Sequence, residues 1–283
     1  MKARDQFKWV SLGLLTTWLV LFVLFPNLMV VAVSFLTSDV KEMIRPEFSL
    51  DSYAKLIDPL YAKVLLHSIY LAGVTTIICL LVGYPAAWLI STCSKRVQGL
   101  LLFLIVVPFW TNSLIRTYAM KVILGNRGII NKGLMELGII DSPIRMMYTE
   151  TAVIIALVYI LLPFMILPLF SAIEKMPNTY LEAARDLGST KLNTFRTVVW
   201  PLTLPGVISG CLLVFLPALG MFYIADLLGG AGNLLIGNII RDQILVARNW
   251  PFGAALSVSL IAIMGLLMWA YHRANTSVKE AKA

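Results

Sequence analysis

Six stretches of this chain, 9–36, 65–91, 99–124, 149–173, 199–228 and 252–271, are long and almost wholly apolar. Each reaches the roughly 20 residues that a helix needs to cross a hydrocarbon core. In lipid the backbone must satisfy its own N–H and C=O groups, which leaves helices or closed barrels. None of the six runs alternates apolar and polar residues as a barrel strand does, so the expectation is six transmembrane helices. Only 13% of the residues are charged, against about a quarter in soluble domains. The chain is therefore expected to be an all-α integral membrane protein, with residues 1–283 as a single transmembrane domain.

The first run follows Lys2, Arg4 and Lys8, as the apolar part of a signal peptide would. It is much longer than such a segment and lacks a small-x-small cleavage site, which favours a retained anchor. Pro26 is expected to kink it or to mark its exit from the membrane. Basic residues in short loops set orientation. Lys95, Arg96, Lys175, Arg185, Lys191, Arg196, Arg273, Lys279 and Lys282 fall on the same side as the basic N-terminus. Asp39, Glu42, Glu47, Asp51 and Asp58 crowd the first loop of the other side. Both termini and the loop between the fourth and fifth runs are then cytoplasmic. This topology accounts for the net charge of +8; the bases are scattered over separate segments, so no nucleic-acid partner is implied.

Catalytic and metal signatures are missing from the sequence. Cys79, Cys93 and Cys211 lack metal-ligand or redox spacing. His67 and His272 fall near opposite faces in this topology. There is no His-Glu-x-x-His, no Gly-x-Ser-x-Gly and no Gly-x-x-x-x-Gly-Lys-Ser/Thr phosphate loop, so the chain is not expected to be an enzyme or to hydrolyse ATP by itself. Gly229-Gly230-Ala231-Gly232 opens no βαβ unit and reads as a flexible outer loop. Gly206-x-x-x-Gly210 suits close helix packing, and Pro163 and Pro168 are expected to bend the fourth span. Around Tyr53 and Leu56 the first outer loop suits a short surface helix that meets an external protein.

One polar stretch interrupts the apolar pattern. From Thr179 to Gly188 the chain reads Thr-Tyr-Leu-Glu-Ala-Ala-Arg-Asp-Leu-Gly. Thr179 and Glu182 have capping-box spacing, and Gly188 suits the left-handed residue that ends a helix. Between them lie about two turns, with Ala183 and Ala184 small enough for another protein to approach. Ser189 or Thr190 can cap a second helix that continues toward Pro201. Beside the docking reading stands that of an ordinary solvated loop helix.

Glu182-Ala183-Ala184, three residues, Gly188, nine residues, then Val198-Val199-Trp200-Pro201 resembles the EAA loop of the membrane subunits of binding-protein-dependent ABC importers. Val198 and Trp200 depart from that pattern's Ile and Leu, but both are apolar. Phe25-Pro26-Asn27-Leu28, Leu56-Ile57-Asp58-Pro59-Leu60-Tyr61, Val107-Pro108-Phe109-Trp110-Thr111-Asn112-Ser113-Leu114-Ile115-Arg116, Leu234-Leu235-Ile236-Gly237-Asn238 and Asn249-Trp250-Pro251-Phe252-Gly253-Ala254-Ala255 are similar to the spermidine/putrescine branch of the family. The resemblance implies a type I importer permease in a bacterial inner membrane, with a cytoplasmic coupling helix between helices 4 and 5. It also implies a second, homologous permease subunit, a dimer of a cytoplasmic ATPase that binds ATP and Mg, and a periplasmic polyamine-binding protein. Glu182, Ala183, Ala184, Asp186 and Gly188 would couple to the ATPase.

A polyamine path should offer carboxylates, oxygens and aromatic faces. The fifth run ends Phe222-Tyr223-Ile224-Ala225-Asp226. An acid at the end of a span is a functional candidate, and Phe222, Tyr223 and Asp226 share a helical face. The competing reading puts Asp226 in interfacial water and Tyr223 in an aromatic belt. In the third run Pro108 is expected to break or bend the helix. Trp110 and Asn112 are path candidates there, Arg116 and Lys121 are unusual cations within a span, and interhelical packing is the competing reading. A permease for another cationic or small organic solute, a passive cation channel and an intramembrane enzyme are the alternatives. The enzyme would need paired reactive groups inside the spans, which the sequence lacks.

Overall fold

A computed structural model of the chain describes residues 2–38, 44–230 and 232–280. Asp39, Glu42, Ala231 and Lys282, used in the reading above, lie outside the described residues. Among the described residues five helices are long and apolar enough to cross a membrane: Trp9–Ser34, Pro59–Thr92, Glu150–Glu174, Lys191–Gly220 and Trp250–Trp269. Lys95–Trp110 and Ser113–Glu136 are apolar enough only as a pair and are bent by 94°, so the described residues hold five such helices, or the expected six where the bent pair counts as one span.

Prolines set the irregularities, with different results. Before Pro26 and before Pro201 the helix widens into a π-turn, over Val20–Leu24 and Phe195–Val199. In each case the residue just before the proline donates five residues back, Phe25 to Val20 and Trp200 to Phe195. Proline supplies no N–H to the usual carbonyl four residues back, and the wider turn accommodates that loss without ending the helix. At Pro108 the chain instead tightens into a 3₁₀ turn over Val107–Trp110. Thr111 is then extended (φ −92°, ψ 144°) and Asn112 restarts the helix. The third apolar run is therefore two helices. Glu150–Glu174 continues as helix through Pro163 and Pro168.

The chain divides into two compact units. One comprises Met1–Ala62 and Ile239–Leu267. Its first long helix buries none of its apolar window within the chain, so that surface is left for lipid or another subunit. Beyond it, strands Leu36–Thr37 and Arg45–Phe48 pair antiparallel, Leu36 opposite Phe48. The expected surface helix is present as Asp51–Lys55. Tyr53 anchors it, its hydroxyl 2.7 Å from Ser34 Oγ and its ring 5.1 Å from that of Phe35.

The second unit comprises Lys63–Asn238 and Met268–Ala283. Its core is the packing of Glu150–Glu174 against Trp200–Gly220. A Cβ on Gly206 would lie 2.4 Å from Ala172 Cβ and 2.9 Å from the Pro168 carbonyl oxygen; one on Gly210 would lie 2.7 Å from Met165 Sδ. The Gly-x-x-x-Gly pair thus brings two backbones together, and Leu157, Leu161, Met165, Leu169 and Val214 are fully buried. In lipid such packing, rather than water exclusion, holds helices together.

Candidate functional site: a short polar helix and two helix breaks

The polar stretch after the fourth span forms the helix Asn178–Asp186. Its N-cap is Pro177 with no side-chain cap bond, so the expected capping box at Thr179 is not built. Pro177 presets an extended backbone (φ −64°, ψ 132°), which moves the helix start one residue ahead of Thr179. The C-terminus is as expected. Gly188 has φ +72°, its N–H donates to Arg185 O (2.8 Å) and that of Ser189 to Ala184 O (3.0 Å). These are the two bonds of a Schellman motif. Thr190 Oγ1 then accepts from Asn193 N (3.4 Å) and caps the next helix. That helix runs through the Phe195–Val199 turn into the fifth span.

Nine residues make a marginal helix in water, so packing must hold this one. It lies against the Phe195–Val199 turn. Leu181 and Trp88 line two cavities beside it, of about 480 and 330 Å³. Ala184 points inward and is 9% exposed, which corrects the expectation that Ala183 and Ala184 both face a partner. Neighbours in sequence are about 100° apart around a helix. Glu182, Ala183 and Asp186 are exposed, as are Tyr180 and Leu187, the last at 88%.

Tyr84 links this segment to the bundle, and the sequence reading missed it. Its hydroxyl lies 2.9 Å from Thr203 Oγ1, and its ring meets those of Phe195 and Trp200 at 5.6 and 5.9 Å. A tyrosine inside an apolar run carries no local signal of such a role.

The path candidates sit at two helix breaks; the elements that follow those breaks, Ser113–Leu124 and the turn Ala225–Gly229, pack together, and of the candidates only Asp226 lies on either. Trp110 is 73% exposed, its ring edge-on to Phe103. Asn112 Oδ1 accepts from Leu114 N (2.8 Å), so this side chain is also the cap that restarts the helix. Arg116 is buried with its guanidinium 5.1 Å from the centre of the Phe109 ring, and its Nε has no hydrogen-bond partner.

The fifth span lies earlier in the chain than expected, at Lys191–Gly220. Its helix ends at Gly220, Met221 leaves helical geometry (φ −78°, ψ 57°), and a short helix Phe222–Ile224 leads into a π-turn at Ala225–Gly229. Phe222 and Tyr223 are half-buried and meet edge to face. Asp226 is exposed and accepts from Asn238 Nδ2 (2.5 Å). The sequence pointed to Asp226 but not to Asn238. Gly229 and Gly230 are packed rather than free: Gly230 (φ +67°) lies against Tyr148, whose N–H donates to Leu228 O (2.8 Å).

Residues 60–280 match the family of binding-protein-dependent transport system inner membrane components. The chain belongs to that family. The spermidine/putrescine transport system permease protein PotB of Salmonella typhimurium (strain SL1344) is 54% identical over 275 residues, 97% of this chain and 96% of the relative. PotB of Escherichia coli (strain K12) is 57% identical over 258 residues, 91% and 94% of the two chains. Among solved structures, the bacterial alginate ABC transporter in complex with its pentasaccharide-bound periplasmic protein has a chain that superposes with a TM-score of 0.78. That match covers 98% of this chain and 96% of the other, at 14% identity, so it speaks for the fold alone. An inward-facing MetNI methionine transporter chain gives a TM-score of 0.56 at 17% identity, over 77% and 95% of the two chains. This permease therefore has the type I ABC importer fold, and it is a transport component of an inner membrane. In its structure the family's EAA stretch is a short, stiffly ended helix, exposed on one side and keyed on the other to the root of the fifth span.

Proposed function

We propose that this permease forms one half of the translocation path of an ATP-driven importer that carries polyamines, spermidine and putrescine, into the cytoplasm. The observation that carries the substrate class is the 54–57% identity to permeases of that name along nearly the whole chain. Its partners are a second, homologous permease subunit, a dimer of a cytoplasmic ATPase that binds ATP and Mg, and a periplasmic polyamine-binding protein. Residues 1–283 work as one transmembrane domain with both termini in the cytoplasm, and the ATP chemistry belongs to the ATPase.

The coupling step follows from the helix Asn178–Asp186. Glu182, Ala183 and Asp186 meet the ATPase, while Gly188 ends the helix sharply and Ala184 seats it on its own bundle. When nucleotide draws the two ATPase subunits together, a rigid helix moves with its groove. Tyr84, Phe195 and Trp200 pass that displacement to two spans at once. A frayed helix would absorb it.

Polyamines are chains of methylenes with ammonium groups at intervals. Asp226 supplies a carboxylate for an ammonium, and Trp110, Phe222 and Tyr223 supply ring faces for cation–π contact with the ammonium groups. Asn112 supplies amide polarity at the break of the third span.

Reconstitution with the partner subunits in proteoliposomes tests this reading. ATP-dependent uptake of labelled spermidine is expected, and Asp226→Asn is expected to lower it at unchanged protein level. Passive spermidine flux without nucleotide, or ATP-dependent uptake of a different solute class with none of polyamine, would overturn it.

A further inference from the structure

The smaller cavity beside the helix Asn178–Asp186, of about 330 Å³, has two kinds of wall. Trp88, Leu181 and Phe195 make one part apolar, and Arg185, Ser189 and Lys191 make the other polar. Among the described residues no acid lines it, and neither Arg185 nor Lys191 has an ion-pair partner. Two cations thus border one small space without a counter-charge.

Arg185 is in the last turn of its helix, and Lys191 opens the next one. Gly188, at φ +72°, makes the corner between them. Arg185 stands one turn after Leu181 and next to the inward-facing Ala184. It therefore shares their side of the helix rather than that of Glu182, Ala183 and Asp186, and the cavity lies away from the surface assigned to the ATPase above. Ser189 Oγ accepts from Thr194 Oγ1 and from Asn193 Nδ2 (both 3.1 Å), while its own hydrogen reaches only Thr190 O, at 3.5 Å. So long a bond is readily exchanged for an anion. A guanidinium, an ammonium and a hydroxyl around one space suit a tetrahedral group with several oxygens better than a planar carboxylate. Arginine takes two such oxygens side by side, and lysine acts as a point charge.

We propose that this cavity binds a phosphate group between Arg185 and Lys191, across the Gly188 corner. The group is the headgroup of an anionic phospholipid or a free phosphate, and the apolar wall gives the first an additional contact. Basic pockets beside membrane helices recognise anionic headgroups by the same attraction. The bound phosphate joins the end of one helix to the start of the next. Phe195, on the apolar wall, also meets the Tyr84 ring (5.6 Å). The effect of the phosphate on transport rests on the coupling role proposed for the helix; its binding does not.

The test titrates the assembled, delipidated transporter in neutral detergent with short-chain phosphatidylglycerol, and separately with inorganic phosphate, and reads the shift in melting. A ligand of the folded state raises the melting temperature, and phosphatidylglycerol is expected to half-saturate about tenfold lower than phosphate. Equal or tighter binding of phosphate keeps the site and makes free phosphate its ligand. Arg185→Gln combined with Lys191→Gln is expected to weaken the better ligand about tenfold. Arg96→Gln combined with Lys175→Gln removes equal charge from side chains that do not line the cavity, and is expected to weaken it less than about twofold. No melting shift with either ligand, an unchanged half-saturation in the cavity variant, or an equal loss in the control pair overturns the proposal. If the cavity variant does not assemble, Lys191→Gln alone goes through the same titration; its failure to assemble as well makes the two cations structural and overturns the assignment. In membranes containing phosphatidylglycerol the cavity variant is also expected to move less spermidine per ATP. An unchanged ratio beside a lost affinity leaves the site standing and removes the coupling reading instead.

Discussion

The Tyr84 hydroxyl lies 2.9 Å from Thr203 Oγ1, across 119 residues of chain and between two membrane helices. Thr203 also reaches back to Val199 O (2.9 Å), at the end of the π-turn that follows the docking helix. Bond and turn together make the lower part of the fifth span one unit with the Pro59–Thr92 helix. Tyr84→Phe keeps the ring contacts and removes the bond, which is worth about 0.5–1.5 kcal/mol. The expected outcome is a small loss of thermal stability and fewer substrate molecules moved per ATP, read in a coupled uptake and ATPase assay. Unchanged coupling would remove Tyr84 from the transmission path.

At the helix interface the two glycines should differ. Gly206→Ala places a methyl 2.4 Å from Ala172 Cβ and 2.9 Å from the Pro168 carbonyl, and neither neighbour is a flexible side-chain end. Gly210→Ala meets chiefly Met165 Sδ, which can rotate away. Overpacking costs about 1–3 kcal/mol, and the larger cost should fall on Gly206. Melting of the two detergent-solubilised variants checks the order; a more damaging Gly210→Ala would contradict it.

The proposed coupling role of the helix Asn178–Asp186 separates recognition from stiffness. Glu182→Lys alters an exposed side chain and should leave melting unchanged while reducing ATPase copurification severalfold. Gly188→Ala forces a Cβ into φ +72°, costing about 1 kcal/mol locally. It should lower transport per ATP more than it lowers copurification. Equal losses in both measurements would mean that the sharp helix end serves docking only.

Trp110→Ala and Asn131→Ala form a contrasting pair. Trp110 is largely exposed, so its loss should cost uptake and little stability. Asn131 is fully buried, donating to Gly125 O (3.1 Å) and Ile144 O (3.0 Å) and accepting from Ile144 N (2.9 Å). Removing it strands buried polar groups at about 1–3 kcal/mol, so melting should fall whether or not transport is assayed.

The ion pair between Lys95 and Glu174 (2.5 Å) has side chains 78% and 39% exposed. Water screens such a pair, and its worth is at most about 1 kcal/mol. Lys95→Ala is expected to melt within a degree or two of the parent; a large drop would show that the pair guards the cavity beside Leu181.

Long apolar runs declare membrane helices because lipid denies the backbone any other partner, and Gly188 declares a helix end because the left-handed conformation it adopts is strained for other residues. Those features, the Gly206–Gly210 contact and the break near Pro108 were legible from local sequence. The helix start at Pro177 was not, since Thr179 and Glu182 formed an equally good local signal. Nor was the inward turn of Ala184, which depends on what the rest of the chain packs beneath it.

What the amino-acid order determined by itself was the set of spans, the polar helix between the fourth and fifth, and the family to which its spacing belongs. These depend on neighbours a few residues apart. Tertiary structure alone decided that Tyr84 ties the docking segment to the bundle, that the fifth span stops at Gly220, and that Asn238 grips Asp226. Each of those contacts joins groups that only close packing brings together. A buried amide or hydroxyl takes whichever partner the fold presents, because leaving it unpaired costs more than any local preference can return.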